Sequence, residues 1–125
     1  NSGEAIKNIL APLKQPVEAK ELRFGITCDD FKAYGENVIA ELEKYYGGMD
    51  GWKIADDNRE GMRISADKAH GDGWLLLRLS VHDPVMPFNM ESNEAGGVKK
   101  IAASFYQFIK KFDKLNIEPI ENFLK

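Results

Sequence analysis

The chain has 125 residues, of which 17 are basic and 20 acidic, and its formal net charge is −3. Its 43% hydrophobic and 30% charged residues are typical of one soluble globular domain that can bury a core of its own. This balance excludes a generally basic surface for nucleic acid or anionic membranes, and no apolar run reaches the ~20 residues of a membrane span.

The first sixteen residues are predicted to form a lead segment that precedes the main domain. Their apolar residues recur at helical spacing, at Ile6, Ile9, Leu10 and Leu13. Pro12 and Pro16 end that pattern and open a linker. We therefore expect a lead helix and linker over residues 1–16 and one domain over residues 17–125. Because the chain starts at Asn1 rather than methionine, we expect a piece of a longer protein.

A strand and a long helix open the main domain. The segment Leu22–Ile26 alternates apolar and polar residues, as a half-buried strand does. Thr27–Asp30 then places a hydroxyl three residues before a carboxylate, which is a helix-capping arrangement. Apolar residues follow on one helical stripe, at Phe31, Tyr34, Val38, Leu42 and Tyr45. Gly47 and Gly48 predict the end of this helix.

Short strands and a second long helix follow. The strands are predicted at Trp52–Ile54, Met62–Ile64, Trp74–Leu77 and Val85–Glu91. Turn-forming residues separate them, at Asp56–Asn58 and at His70–Gly73. Pro87 lies inside the last strand, and proline there predicts an edge position or a bulge. Apolar residues then keep helical spacing from Val98 to Phe112.

This order of elements predicts an α+β domain of two layers. Strands joined by short turns pair antiparallel, and amphipathic helices then cover one face of their sheet. We expect roughly four antiparallel strands with helices on one face, preceded by the short lead helix. Trp52 and Trp74 lie in predicted strands and are expected in the core.

The segment from Arg78 to Pro84 is where the sequence points most directly to function. An apolar strand ends at Leu77 and delivers an arginine, a serine hydroxyl and a short loop to one edge. Arginine presents a rigid fork of donors that matches phosphate geometry, and a hydroxyl with loop amides can complete an anion cradle. The alternative is a strand that ends in an exposed arginine and an ordinary Asx-Pro turn. The short motif does not separate these two interpretations by itself.

The residues around this segment carry a resemblance to a known family. Gly73–Pro84 reads GWLLLRLSVHDP. It resembles the phosphate-binding loop of the α-D-phosphohexomutases, the phosphoglucomutase and phosphomannomutase enzymes, whose C-terminal domain has the pattern G-W-x-L-x-R-x-S-G-T-E-P. Glu60–Ile64 is similar to that domain's D-G-V-R-I strand, Asn89–Ser92 to its x-x-E-A strand end, and Glu21–Phe24 to its opening strand. The likeness covers roughly residues 17–111.

The resemblance implies a role for particular residues of the loop. Arg78, Ser80 and Pro84 are kept, so Arg78 would make a bidentate contact to a substrate phosphate and Ser80 would donate its hydroxyl. Val81–Asp83 stands where the family usually has Gly-Thr-Glu. The amides of this stretch would add donors, and the ring of His82 would add another.

The same resemblance implies an activity for the intact enzyme. The family's last domain has a TBP-like α+β fold and closes over the substrate, and the enzyme interconverts the 1- and 6-phosphates of glucose or mannose with Mg²⁺. The phosphoserine, the magnesium-binding aspartates and the sugar-reading loop belong to three earlier domains. This chain would therefore contain no catalytic residue and no metal ligand, and alone it would be inactive. Its partners would be a hexose phosphate and the preceding domains of its own chain, in the cytoplasm, without nucleic acid or membrane.

A second hypothesis is a non-enzymatic α+β module that docks a protein or a small anion. The sequence shows no nucleophile with a partnered base, and its acidic charge and lack of an RNP-type aromatic motif argue against RNA. Cys28 is the only cysteine, which excludes an internal disulfide and a multi-cysteine zinc site and is typical of a reducing compartment. Cys28 is expected to lie near a helix cap or in the core, and His70 to be an exposed turn residue without a role.

Overall fold

The computed structural model describes residues 16–55 and 61–125. Its strands are β1 (Glu18–Ile26), β2 (Trp52–Ile54), β3 (Met62–Ala66), β4 (Gly73–Leu77), β5 (Val85–Ser92) and β6 (Leu115–Asn116). Its helices are α1 (Phe31–Tyr46), α2 (Gly97–Ile109) and α3 (Glu118–Leu124), with a one-turn 3-10 helix at Lys68–His70. The predicted lead helix and the predicted turn at Asp56–Asn58 lie outside the described residues.

The strands form one antiparallel sheet in the order β2-β3-β4-β5-β1-β6. The predicted α+β class is confirmed, but the predicted number of roughly four strands is wrong, since the sheet has six. β2 has three residues and β6 has two, and these strands form the two edges of the sheet. β2 is the strand predicted at Trp52–Ile54, whereas β6 is not predicted, because a segment of two residues carries too little alternation to identify a strand. The seven-residue helix α3 is also absent from the sequence prediction.

One face of the sheet carries the hydrophobic core. Alternate residues of the central strands join side chains of α1, α2 and α3 in a single buried cluster. Phe105 of α2 packs between the strands, with its ring 4.0 Å from that of Phe88 in β5 and 6.2 Å from that of Phe24 in β1. Within residues 16–55 and 61–125, no helix covers the opposite face, which we call the open face. None of the helices described there combines the length and apolar character that crossing a membrane requires.

Pro87 contradicts the predicted edge or bulge, because β5 lies inside the sheet between β4 and β1. Pro87 pairs with Arg23 of β1, and its carbonyl accepts a hydrogen bond from the amide of Arg78 at 2.9 Å. The N–H that proline lacks would point to the same side, toward β4. Leu77 is the last residue of that strand, so the missing donor falls where the β4–β5 hairpin opens. The ladder between β5 and β1 therefore stays complete.

Helix α1 begins differently from the predicted cap. Asp30 is the N-cap residue, and its carboxylate accepts a hydrogen bond from the amide of Ala33 at 3.3 Å. The hydroxyl of Thr27 instead donates to the carbonyl of Lys114 at 3.2 Å. That bond ties the end of β1 to the segment before β6. The predicted end of the helix is confirmed, with Gly47 at the C-cap.

Helix α2 has a carboxylate from a distant strand at its N-terminus. The side chain of Glu18 accepts hydrogen bonds from the amides of Gly96 at 3.0 Å and Val98 at 3.2 Å. These bonds favour the charged form and hold the pKa of the Glu18 carboxyl below its ordinary value of 4.5. The negative charge also complements the partial positive charge of the helix N-terminus. The start of β1 is thereby fixed to α2.

We expect Glu18→Gln to reduce the loss of stability that acid causes. Because its folded pKa lies below the unfolded value, the carboxylate stabilises the fold above that value, and this stabilisation is lost as pH falls through the folded pKa. The variant should be less stable than wild type near neutral pH, and the two should converge in acid. Urea denaturation between about pH 7 and pH 3, followed by tryptophan fluorescence, measures the difference. Glu36→Gln, at an exposed position of α1, is the control, and parallel curves for wild type and Glu18→Gln would contradict the assignment.

Candidate functional site

The candidate site lies where the β4–β5 hairpin opens into its loop. Pairing continues beyond the last strand residue, since the amide of Arg78 donates to Pro87 and that of Ser80 donates to Val85 at 3.1 Å. Successive side chains in an extended segment point to opposite faces. The buried Leu77 faces the helices, so Arg78 and Ser80 both face the open side. The alternation of the strand thus places the two predicted phosphate ligands on the same side of the sheet.

The guanidinium group of Arg78 has no ion pair or hydrogen bond to any residue that the structure describes. Its side chain is nevertheless half-buried. Arg78 therefore has a full set of donors available for an external anion.

The loop supplies further donors, but not all of those predicted. The hydroxyl oxygen of Ser80 accepts a hydrogen bond from the amide of Asp83 at 3.3 Å, which leaves the hydroxyl proton free to be donated elsewhere. The amide of Asp83 is therefore used within the loop. The amides of Val81 and His82 have no acceptor among the described residues. Val81 is 67% exposed, and His82 is exposed as well, without a partner for its ring in that part of the chain.

Leu79 anchors the loop to the helical layer. It lies between the two outward-facing ligands and points to the opposite side, where it packs on the buried Gly35 of α1. A Cβ atom at Gly35 would lie only 2.5 Å from the Cδ1 atom of Leu79. The absence of a side chain at Gly35 thus gives the leucine its place. A glycine inside an amphipathic helix is a signal for such a close approach, but the sequence does not identify the partner.

Gly61, just before β3, makes room for Arg78 in a similar way. Its φ is +152°, and a Cβ atom there would lie 2.8 Å from Cγ of Arg78 and closer still to the carbonyl oxygen of Leu77. The stem of Arg78 therefore passes directly over the backbone of Gly61. The sequence interpretation places Gly61 in a family-like strand but assigns it no role. The structure gives it one, because it sets the path of the arginine stem.

The open face carries more positive charge than the chain as a whole. Charged residues that face that side, from the described strands and from Arg78 just after β4, are four basic and two acidic, namely Arg23, Lys53, Arg63, Arg78, Glu21 and Glu91. The chain itself has a net charge of −3. Trp74 also lies on this face, half-buried, with the guanidinium carbon of Arg63 4.1 Å from its ring centroid. The prediction that Trp74 belongs to the core is therefore wrong, whereas Trp52 is buried as predicted.

His70 and Cys28, whose surroundings the sequence also predicts, lie away from this hairpin opening. His70 is not a free turn residue, since its Nδ1 atom lies 2.6 Å from Oδ1 of Asp67. This contact holds the pKa of the Asp67 carboxyl below its ordinary value. Cys28 is half-buried, with its sulfur 3.5 Å from the carbonyl of Asp30 at the start of α1. Among the described residues, no three His, Cys, Asp or Glu side chains are grouped so that they could hold a metal ion.

Comparison of the sequence with protein-family models and with curated proteins gave no match. The function proposed below is therefore argued from the resemblance in the loop sequence and from the geometry of the hairpin opening.

We expect Gly61→Ala to disturb Arg78 as well as the stability of the fold. The new methyl group would meet both the arginine stem and the Leu77 carbonyl, and its φ is unfavourable for alanine. The free energy of unfolding should fall by about 1–3 kcal/mol. Gly48→Ala is a matched control, since Gly48 also has a positive φ, +82°, but has nothing within 4 Å of the added atom. Amide NMR shifts should change around Arg78 only in the first variant, and equal effects of both would contradict this role.

Proposed function

We propose that this chain binds the non-transferred phosphate of a hexose phosphate, as the C-terminal domain of a phosphohexomutase. The observation that carries the proposal is the guanidinium of Arg78, a half-buried residue, which has no partner among the described residues. It stands beside a free hydroxyl proton at Ser80 and two free loop amides, at Val81 and His82. Donors without acceptors at one point of a surface suit an anion with several oxygens.

Each donor has a distinct part in the proposed contact. Arg78 would bind two phosphate oxygens through its planar fork, which matches phosphate geometry better than an ammonium group does. Ser80 and the amides of Val81 and His82 would bind the remaining oxygens, and the exposed His82 ring would add a further donor. Fixing the remote phosphate orients the sugar for reaction at its other end. Closure of the domain over the substrate would also exclude water from phosphoryl transfer.

The departure from the family pattern at Val81 is compatible with this role. Glycine is the usual residue there, and glycine often marks a backbone with positive φ. In the described part of this chain, Asp72 is the one non-glycine residue with positive φ. Val81 therefore adopts a conformation that a β-branched residue accepts without strain. The open α+β sheet with its helices on one face also agrees with the TBP-like layout that the resemblance implies for the family's last domain.

The proposal assigns the chemistry to other parts of a longer protein. Magnesium and the phosphoserine would belong to the preceding domains, with which this domain would form the closed site in the cytoplasm. Phosphoryl transfer needs these groups and a positioned acceptor oxygen, and the charge that develops must be stabilised. The 125-residue chain alone should therefore bind hexose phosphates without converting glucose 1-phosphate or mannose 1-phosphate. Turnover by the isolated chain would overturn this division of roles.

We expect Arg78→Ala to weaken binding of glucose 6-phosphate about 10–100-fold, the equivalent of a charge-assisted bidentate contact of roughly 1.5–3 kcal/mol. Arg78→Lys should recover only part of the affinity, because lysine keeps the charge but lacks the fork. Both variants should unfold at nearly the wild-type temperature, since no partner of Arg78 within the described chain is lost. Titration of ¹⁵N-labelled protein, followed by amide shifts, gives the dissociation constants.

Glucose without phosphate is the control ligand and should cause no shifts. Two results would reject the phosphate site and favour a non-enzymatic interaction module. One is the absence of shifts with glucose 6-phosphate in the wild-type chain. The other is an unchanged dissociation constant in Arg78→Ala.

A further inference from the structure

A second arginine, Arg23, lies near Arg78 on the open face, and a single residue of β5, Pro87, separates the two in the sheet. Pro87 of β5 is paired with Arg23 of β1 on one side and with Arg78 on the other. The hydrogen bond of Pro87 is directed to Arg78, so Arg23 and Pro87 form a non-hydrogen-bonded pair with Cα atoms about 4.5 Å apart. The Cα atoms of Pro87 and Arg78 are then about 5.5 Å apart, as in a hydrogen-bonded pair. The Cα atoms of Arg23 and Arg78 are therefore about 10 Å apart, on either side of Pro87.

Both arginines face the same side of the sheet. Leu22 and Phe24, the neighbours of Arg23 in β1, are buried in the core, so Arg23 points to the open face. Arg78 does so by the same alternation. Each side chain has three methylene groups before its guanidinium, so both guanidinium groups can reach the surface above Pro87. Two guanidinium groups above Pro87 would repel each other without an anion between them.

The surface next to Pro87 has space for such an anion. Gly25 follows Arg23 on the same face and is paired with Val85 of β5. A Cβ atom added at Gly25 would meet nothing within 4 Å, and its φ is not in the positive range. The floor formed by Gly25 and Val85 therefore has open space above its glycine, whereas the neighbouring Pro87 is buried. Ser80, paired with Val85 through its amide, stands at the loop end of this floor.

The ion pair that Arg23 makes with Glu21 is weak. Its Nη2 atom lies 3.2 Å from Oε2 of Glu21, and the two side chains are 64% and 44% exposed. An exposed ion pair of this kind contributes little to stability, because water and salt screen it. Arg23 can therefore exchange this contact for a phosphate dianion at small cost. The sequence interpretation places Glu21–Phe24 in a family-like strand and gives Arg23 no function.

We propose that Arg23 is the second guanidinium of the phosphate site, and that the anion lies on the open face over Gly25 and Val85, next to the buried Pro87 and within reach of both Arg23 and Arg78. This inference rests on the proposed phosphate-binding function and adds a ligand and a location to it. The site then includes a side chain from β1 in addition to the hairpin loop. A phosphate held from two strands is fixed in orientation as well as in position.

The test is a titration of the ¹⁵N-labelled chain with inorganic phosphate and with glucose 6-phosphate. Arg23→Gln removes one charged contact and should weaken both ligands about tenfold. Gly25→Val fills the open space above the floor and should weaken them at least as much. The melting temperature of each variant should stay near that of wild type, because the space at Gly25 is empty and Arg23 is exposed.

A matched control separates a direct contact from a general loss of positive charge. Lys53→Gln removes one positive charge from the open face at the far edge strand β2. It should change either dissociation constant by less than about twofold, since exposed charges separated by more than about 10 Å are screened at ordinary ionic strength. An equal effect of Lys53→Gln and Arg23→Gln would overturn the proposal.

The remaining outcomes separate this inference from the function on which it rests. If Arg78→Ala loses affinity while Arg23→Gln or Gly25→Val binds like wild type, the second ligand and its location are rejected and the hairpin site stands. If the wild-type chain binds neither anion, the phosphate function falls and this inference falls with it. If Arg23→Gln and Gly25→Val both lose affinity while folding normally, the proposed placement is supported.

Discussion

Burial of one face of the sheet under α1 and α2 determines which side chains are available for function. Phe24, Phe88 and Phe105 hold the helical layer against the central strands through ring contacts of 4.0–6.2 Å. Such contacts bury large apolar areas and fix the register of the strands, because a shift by one residue would move every apolar side chain to the wrong face. Once Leu77 must face the core, Arg78 must face away from it. The direction of the candidate ligand is therefore a consequence of core packing.

The same constraint explains which predictions the sequence could support. Alternation in β1 and the helical stripes of α1 and α2 are long enough to be recognised, and the α+β class follows from them. The two-residue strand β6 depends on pairing with β1, and no local pattern indicates it. Pro87 is tolerated in a central strand because of where the neighbouring hairpin opens, which is tertiary information. The helix cap falls at Asp30 instead of Thr27, because the threonine hydroxyl finds a partner 87 residues away.

The residues of the candidate site also differ in whether the sequence alone can identify them. Arg78 and Ser80 are adjacent enough in the chain for a motif to identify them, and the structure leaves both with free donors within its described part. Gly35, Gly61 and Arg23 are distant in sequence from the loop, and their relation to it depends on sheet register and helix packing. A sequence can mark a glycine as unusual in a helix, but it cannot name the side chain that fills the space. Residues that shape a site from other elements are consequently the ones that motif analysis overlooks.

The guanidinium of Arg78, which has no partner among the described residues, keeps its donors available for binding. An acceptor on a neighbouring strand would pair with these donors. Such an acceptor would also compete with an external anion for the same donors. Leu79 and Gly35 hold the same segment in place, because they pack the residue next to the arginine into the core side of the hairpin. Placing the apolar anchor and the charged ligand on consecutive residues lets one short segment hold its position and keep its donors free. An anion that binds there stabilises the folded chain by an amount that grows with the logarithm of its concentration once this exceeds the dissociation constant.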